Sequence, residues 1–304
     1  MKQNVISYKK RNNNLISCSL YLDNSDKYLN YTYDFIDRIK KIFIDFDICI
    51  YIDDSVLKNE NYETFKKQMI NKQINIIHVE YKKEISGTFG GFYRFLPLFE
   101  KTYDLIYVSD IDMRYHELLE VKHYYDKFKK TNCESLIFQY KIYDKPWINK
   151  KVNINFLAGL FITKLKYNYE IFEQFLDSIP NQYINLVEKM RVSRKNKYLT
   201  SLYPYGIDEL FCNYFLTKEM INKKIMKVTI LNIGSVLNKM KYENNYRFEK
   251  WRNKLKKIER SVYYDKKLND IYELKILINN KTSTFDEIIN KTKKPYFSFY
   301  EIMI

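Results

Sequence analysis

Histidine, cysteine, glycine and proline are all scarce here, at 3, 4, 6 and 5 of 304 residues. The cysteines, Cys18, Cys49, Cys133 and Cys212, lie far apart with no C-x-x-C pair, which with so few histidines argues against a structural zinc site. Cys18 and Cys49 fall inside expected strands and read as small buried hydrophobes, a usage consistent with a reducing compartment. No stretch approaches the roughly 18 uninterrupted apolar residues that span a bilayer, and the opening MKQNVISYKKRNNN lacks the apolar core of a signal peptide. The expectation is a soluble, intracellular protein, cytoplasmic by default. No G-x-x-x-x-G-K-[ST] is present, which excludes a P-loop. No internal repeat is found.

What the chain has in quantity is apolar and basic side chains. At 46 % hydrophobic and 17 % aromatic residues, it can bury a substantial core without disulfides or metals as staples. Lysine and arginine outnumber the acids 52 to 37, a net charge of +15 that suits an anionic partner: nucleotide phosphates, nucleic acid or an acidic membrane surface. The 30 tyrosines, with abundant Lys, Asn and Ile, also fit an AT-rich coding bias, to which part of the basic balance is owed.

Apolar periodicity predicts alternating strands and helices over the first two-thirds: strand Leu15 to Leu22, helix Tyr28 to Ile42, strand Ile48 to Ile52, a polar helix Val56 to Asn71, strand Ile74 to Val79, helix Phe89 to Phe99, and a strand from Leu105. Repeated strand–helix–strand units imply a parallel sheet covered on both faces. Helix His116 to Lys130, strand Ser135 to Tyr140, an apolar piece Ile154 to Thr163, helix Tyr169 to Met190, a basic loop Arg191 to Lys197, helix Ile207 to Phe215 and strand Lys227 to Ile233 follow. The expected class is α/β: one Rossmann-like domain over 1–238 with a mostly parallel mixed sheet flanked by helices, and a mostly helical basic extension over 239–304 packed on it.

The segment DLIYVSDIDMRY, Asp104 to Tyr115, ends a strand on Asp110 and Asp112, at the sheet edge where open α/β folds bind ligands. Two carboxylates there suit Mg²⁺ or Mn²⁺, which take oxygen ligands and share the rest of their shell with phosphates. A second copy, Asp45-Phe46-Asp47, enters a strand rather than leaving one, so position separates the two. Arg94, on the helix before this strand, is placed either to pair with the aspartates or contact phosphates, or to be a surface arginine of an amphipathic helix. Gly87, Gly90 and Gly91 are half of the chain's six glycines and suggest close backbone approach to phosphates. Tyr21, beside Leu20, is placed to stack on a base, and Asp53 and Asp54 either to accept from a ribose or base or to form a solvated turn. Ala158 and Gly159 admit a sugar against the backbone, or pack strand on helix. Asp208 and Glu209 either begin a helix favourably or meet substrate hydroxyls.

Five blocks in order, SCSLYL with DICIYIDDS, SGTFGGFYRFLPLF, VSDIDMRY, FLAGLFITK and YGIDELFCNYFL, resemble metal-dependent glycosyltransferases of the GT-A fold with a D-x-D motif. Their spacing is similar to that of the glycogenin and galactosyltransferase-like group, over about Leu15 to Leu216. The resemblance implies a nucleotide-sugar donor, a UDP-sugar first, with a glycan, protein or lipid-linked hydroxyl as acceptor. It implies Mn²⁺ or Mg²⁺ on Asp110 and Asp112, with Asp112 the principal ligand; donor contacts from Leu20, Tyr21, Asp53, Arg94, Ser109, Asp110, Ala158 and Gly159; and Asp208 and Glu209 as catalytic carboxylates, with retention of configuration slightly favoured. The chain departs from that group in having no late histidine for the metal, His78, His116 and His123 all preceding the Ala-Gly block, so Asn232 or water is left as a further ligand. Acceptor choice falls to Tyr143 to Asn153 and Arg191 to Tyr205.

Three other readings stand beside this one. A sugar nucleotidyltransferase would carry an amino-terminal Gly-rich loop, and Leu15 to Asn24 has no glycine. A basic nucleic-acid-binding protein fits the charge and the aromatics, but the cations are scattered and no recognised module is present. A catalytically degenerate GT-A protein fits the missing histidine. Peripheral contact with a membrane is a further expectation from the charge.

Overall fold

A computed structural model describes residues 1–22, 27–80, 88–113, 115–140, 157–176, 208, 211–230 and 298–303. Nine strands form one sheet: β1 (Lys2–Ser7), β2 (Asn14–Leu20), β3 (Phe46–Ile52), β4 (Asn75–Glu80), β5 (Leu105–Ser109), β6 (Ser135–Tyr140), β7 (Leu160–Thr163), β8 (Ile225–Ile230) and β9 (Ser298–Met303), in the order β1-β4-β3-β2-β5-β7-β6-β8-β9. β4, β3, β2 and β5 pair in parallel. β7 runs antiparallel to both β5 and β6, and β8 is parallel to β6. β2, β3, β4, β5, β6 and β8 therefore all point one way, and their carboxyl ends share one edge. β1 and β9 flank the sheet antiparallel.

This is the α/β, Rossmann-like architecture that the alternating pattern implies. α1 (Lys27–Ile42) buries Leu29, Phe35, Ile36 and Ile39, and α4 (Tyr115–Phe128) buries Leu118, Val121, Tyr125 and Phe128; these spacings put one apolar stripe of each helix on the sheet. Both cover the face that carries Ile16, Cys18 and Leu20 of β2. The opposite face carries Leu15, Cys49 and Tyr51 and is covered by a 3₁₀ helix, Thr88–Phe99, by helix 169–176 and by the segment from Phe211. Strand residues buried on both faces explain why β3 reads FDICIYI, an almost unbroken apolar run.

Several local expectations change. The stretch Val56 to Asn71 is not one helix but two, α2 (Asp54–Leu57) and α3 (Tyr62–Asn71), because the Asn59 side chain accepts from Asn61 N–H at 2.9 Å and turns the chain between them. Phe89 to Phe99 is helical but wound as 3₁₀. β1 was not anticipated, being a short edge strand with a mixed pattern of exposure. Within 239–304, expected to be mostly helical, the described residues Ser298–Met303 are a strand on β8; the rest of that stretch, and Ile154 to Phe156, Asp177 to Met190 and Leu231 to Ile233, lie outside the described residues. All four cysteines are buried free thiols. Among the described residues no helix is long and apolar enough to cross a membrane.

The second aspartate pair has a structural task. Asp47 is buried at the amino end of β3, on the edge opposite the carboxyl ends. It accepts from Arg11 N–H at 2.8 Å, Asn12 Nδ2 at 3.1 Å and the Tyr103 hydroxyl at 3.2 Å. These bonds tie the β1–β2 loop to the sheet and satisfy a carboxylate that burial would otherwise penalise. Asp47→Ala is expected to cost about 2–3 kcal/mol, measured by urea unfolding.

Candidate functional site

β2, β5 and β7 bring Tyr21, Asp110 and Gly159 to one place, and the 3₁₀ helix crosses above them with Arg94. β5 delivers Asp110 directly after Ser109, and Asp110 N–H donates to the Gly159 carbonyl at 3.0 Å. A Cβ added to Gly159 would lie 2.2 Å from the Asp110 carboxylate. Glycine is required there, because no side chain fits between that backbone and the acid. The expected role of Ala158 and Gly159 thereby divides: Ala158 is fully buried in the core, while Gly159 gives Asp110 its seat.

Arg94 is not a surface arginine: it is 6 % exposed. One end of its guanidinium donates to Asp110 Oδ1 and the other to Asp208 Oδ2. The fork thus spans two carboxylates far apart in sequence, one from a strand end and one from a helical residue. Its backbone is held too, since Ser17 Oγ of β2 donates to the Arg94 carbonyl at 2.7 Å. Asp110 keeps about half of its side-chain surface exposed, at 47 %, against 19 % for Asp208.

An aromatic cluster sets the position of Asp208. Phe211 lies three residues on and packs on Phe95 and Phe172 at 5.4 Å and on Phe175 at 4.9 Å between ring centres. Cys212–Leu216 is then wound as a π turn, a form often found beside functional residues. Gly91 faces Asp208, its hypothetical Cβ 3.8 Å from Oδ2. Gly90 is covered by Tyr21, whose Cδ1 would stand 2.6 Å from an added Cβ. Among the described residues, Gly90 seats Tyr21 and Gly91 faces Asp208; Gly87 lies outside the described residues.

Tyr21 sits between this glycine and Tyr28, with which it stacks at 6.5 Å. Burial, and then the Asp208 carboxylate, push its phenol up, so it stays protonated through the physiological range. Burial likewise raises the Cys18 thiol, partly countered by Arg94, which excludes Cys18 as a nucleophile at neutral pH.

The remaining expected residues are placed as follows. Asp112 is exposed in the turn after β5, and Ile111 and Met113 on either side of it are buried. Leu20 is fully buried in the core, and Ser109, equally buried, donates through Oγ to the Asp110 carbonyl at 3.0 Å; the side chains of both support the strand ends. Asp53 is a buried cap, not a solvated turn: it accepts from Ser55 N–H at 3.0 Å, and Ser55 Oγ in turn accepts from Leu22 N–H at 2.8 Å. Burial raises its carboxyl, opposed by the bonds from Ser55. Asp54 pairs with His78 Nε2 at 2.8 Å, a bond that lowers its carboxyl. Glu209, Asn232 and both expected acceptor loops lie outside the described residues, as does Gly206.

Ser17 and Phe211 were not singled out from the sequence. Their contributions arise from contacts across the fold, and only the small hydroxyl at a strand position facing a helix hinted at the first.

The oxygen donors at the strand end fit a hard divalent cation that completes its shell with phosphate oxygens and water. Among the described residues no group of three or more His, Cys, Asp or Glu side chains is gathered that could hold a metal ion; Asp110 and Asp112 are the two carboxylates at the end of β5.

No family model and no curated protein matches the chain. Among solved structures it is similar to a mannosyltransferase from Pyrobaculum calidifontis in complex with GDP-Man and Mn²⁺, with a TM-score of 0.35 and 10 % identity over 54 % of this chain and 47 % of that one; it thus spans about half of that enzyme's length. It is also similar to a 4-diphosphocytidyl-2C-methyl-D-erythritol synthase from Anaerococcus prevotii, with a TM-score of 0.31 and 16 % identity over 67 % and 97 % of the two chains. Both similarities are too distant to carry a functional argument.

The seat of Asp110 makes a sharp prediction. Gly159→Ala is expected to force the carboxylate off Arg94, lowering stability by about 1–3 kcal/mol. Gly91→Ala, whose Cβ meets only ordinary contact distances, serves as the tolerated control; thermal melts of the two variants make the comparison.

Proposed function

We propose that this chain is a metal-assisted glycosyltransferase that takes a sugar from a nucleoside-diphosphate donor, a UDP-sugar first, and passes it to a hydroxyl acceptor with the GT-A type of site. The observation that carries this reading is the Arg94 bridge between Asp110 and Asp208 at the carboxyl edge of the sheet, beside a glycine that admits nothing between backbone and acid. Such an edge is where open α/β sheets take nucleotides.

Asp110 and Asp112 would hold the Mn²⁺ or Mg²⁺, which supplies positive charge against the departing diphosphate. Arg94 fixes Asp110 and adds a buried cation next to the same charge, a preorganised arrangement that needs no rearrangement when charge develops. Tyr21, seated on Gly90, closes the side of the site below α1 and presents a neutral phenol. Asp208, paired with the Arg94 guanidinium, and Glu209 are the carboxylates assigned to sugar or acceptor hydroxyls. Retention of configuration is the favoured outcome, following the spacing of the sequence blocks.

The test is a panel of nucleotide sugars with Mn²⁺, with Mg²⁺ or with EDTA, read by binding and by release of nucleoside diphosphate. The expected result is one donor bound and turned over only with metal, with Asp112→Ala losing at least about tenfold. A well-folded protein that binds no nucleotide sugar under any of these conditions would overturn the reading, and donor formation from a sugar phosphate and a nucleoside triphosphate would make it a nucleotidyltransferase.

A further inference from the structure

The edge of the sheet opposite the candidate site carries a contiguous basic and apolar surface that the chemistry above does not use. Three turns meet there: the loop from Tyr8 to Asn13 after β1, the α1–β3 turn at Ile44, and the α3–β4 turn at Gln73. Hydrogen bonds join them. Lys40 Nζ at the end of α1 donates to the Lys72 carbonyl, Arg11 donates to the Gln73 carbonyl at 3.1 Å, and Asn14 Nδ2 donates to the Asp45 carbonyl at 3.4 Å.

On this surface lie three of the most exposed large apolar side chains: Ile44 at 82 %, Ile70 at 41 % and Tyr8 at 40 %. Ile44 stands at the tip of its turn between Phe43 and Phe46, which are both buried, so the turn is rigidly rooted while its isoleucine points out. Around these residues Lys9, Lys10, Arg11, Lys40 and Lys41 are exposed. Against them stand Asp45 and Asp104, both exposed, the latter donating its N–H to the Asn13 carbonyl at 2.8 Å, and Asp37, which pairs with Lys72. Farther along the same edge, before β8, the pattern recurs with Ile221 at 54 % exposure next to exposed Lys223, which pairs with Glu134 at 3.5 Å.

We propose that this edge is a docking surface for an anionic lipid bilayer. Ile44 enters the acyl boundary, Tyr8 sits at headgroup level, and the surrounding lysines meet acidic headgroups. Apolar tips ringed by lysines are what interfacial binding requires, since insertion and attraction to anionic lipid add together. Nucleic acid is disfavoured as the occupant. The most exposed tip, Ile44, is aliphatic, and the one aromatic among these three tips, Tyr8, has its hydroxyl tied to Tyr103 at 3.1 Å, where stacking of successive bases needs several open rings. Arg11 is the sole arginine among these cations, where forked recognition of phosphates favours arginine. The inference is independent of the glycosyltransferase reading. It would place the candidate site on the side away from the bilayer.

Co-sedimentation of the full chain with phosphatidylglycerol-containing vesicles and with pure phosphatidylcholine vesicles, at low and high salt, tests it. Binding to the anionic vesicles only, weakened by salt, and reduced about tenfold or more by Ile44→Asp and by Lys40→Glu with Lys41→Glu, is expected. Val5→Asp, on the exposed edge strand, should leave it unchanged. Ile44→Trp should show a blue shift in fluorescence when anionic vesicles are added. No binding to anionic vesicles, binding that Ile44→Asp leaves intact, or binding of oligonucleotides in preference to vesicles would each overturn the proposal. Since Ile44 is exposed, its variants are expected to fold, which a thermal melt verifies.

Discussion

A buried guanidinium governs the arrangement of this protein's candidate site. Taking an arginine out of water is costly unless charge and hydrogen bonds replace its hydration, and Arg94 is compensated by two carboxylates that reach it from opposite sides. Asp110 comes from the end of β5 and Asp208 from a helical position nearly a hundred residues later. Neither would be well placed alone. Gly159 leaves room for one, Phe211 anchors the segment that delivers the other, and Ser17 holds the backbone of the arginine itself.

The sheet separates two kinds of surface. Because β7 reverses direction between β5 and β6, six strands share a polarity, and their carboxyl ends gather the acids with one buried cation. Their amino ends gather lysines and exposed isoleucines. The two aspartate pairs of the sequence fall on opposite sides of this division. Asp110 meets Arg94 beside open surface; Asp47 is consumed by three hydrogen bonds that hold a loop. Triplet identity says nothing about which is which, whereas the direction of the strand does.

Much of the fold was legible because strand and helix periods are local properties. The runs Leu15 to Leu22, Ile48 to Ile52 and Leu105 to Val108 are apolar on both faces and became central strands. The placement of Asp110 after a strand followed from the same pattern, as did the pairing role of Arg94 as one of two options. What was not legible depends on distant contacts. The 3₁₀ winding of Thr88–Phe99, which carries Gly90, Gly91 and Pro97, is not distinguished from an α-helix by apolar period alone. Tyr21 is seated by Gly90, nearly seventy residues away, and the buried cap at Asp53 needed Ser55 and Leu22 to be in place. The break between α2 and α3 was written locally, in Asn59, but the polar stretch around it masked the turn.

The most direct test of the central claim is a double-mutant cycle on Arg94→Gln and Asp208→Asn, reading both unfolding free energy and affinity for the nucleoside diphosphate of the proposed donor. A functional bridge predicts coupling of about 1–3 kcal/mol in stability, with nucleotide affinity lost in each single variant and no further loss in the double variant. Additive effects on stability, with nucleotide binding indifferent to both substitutions, would show that the bridge is not what builds the site.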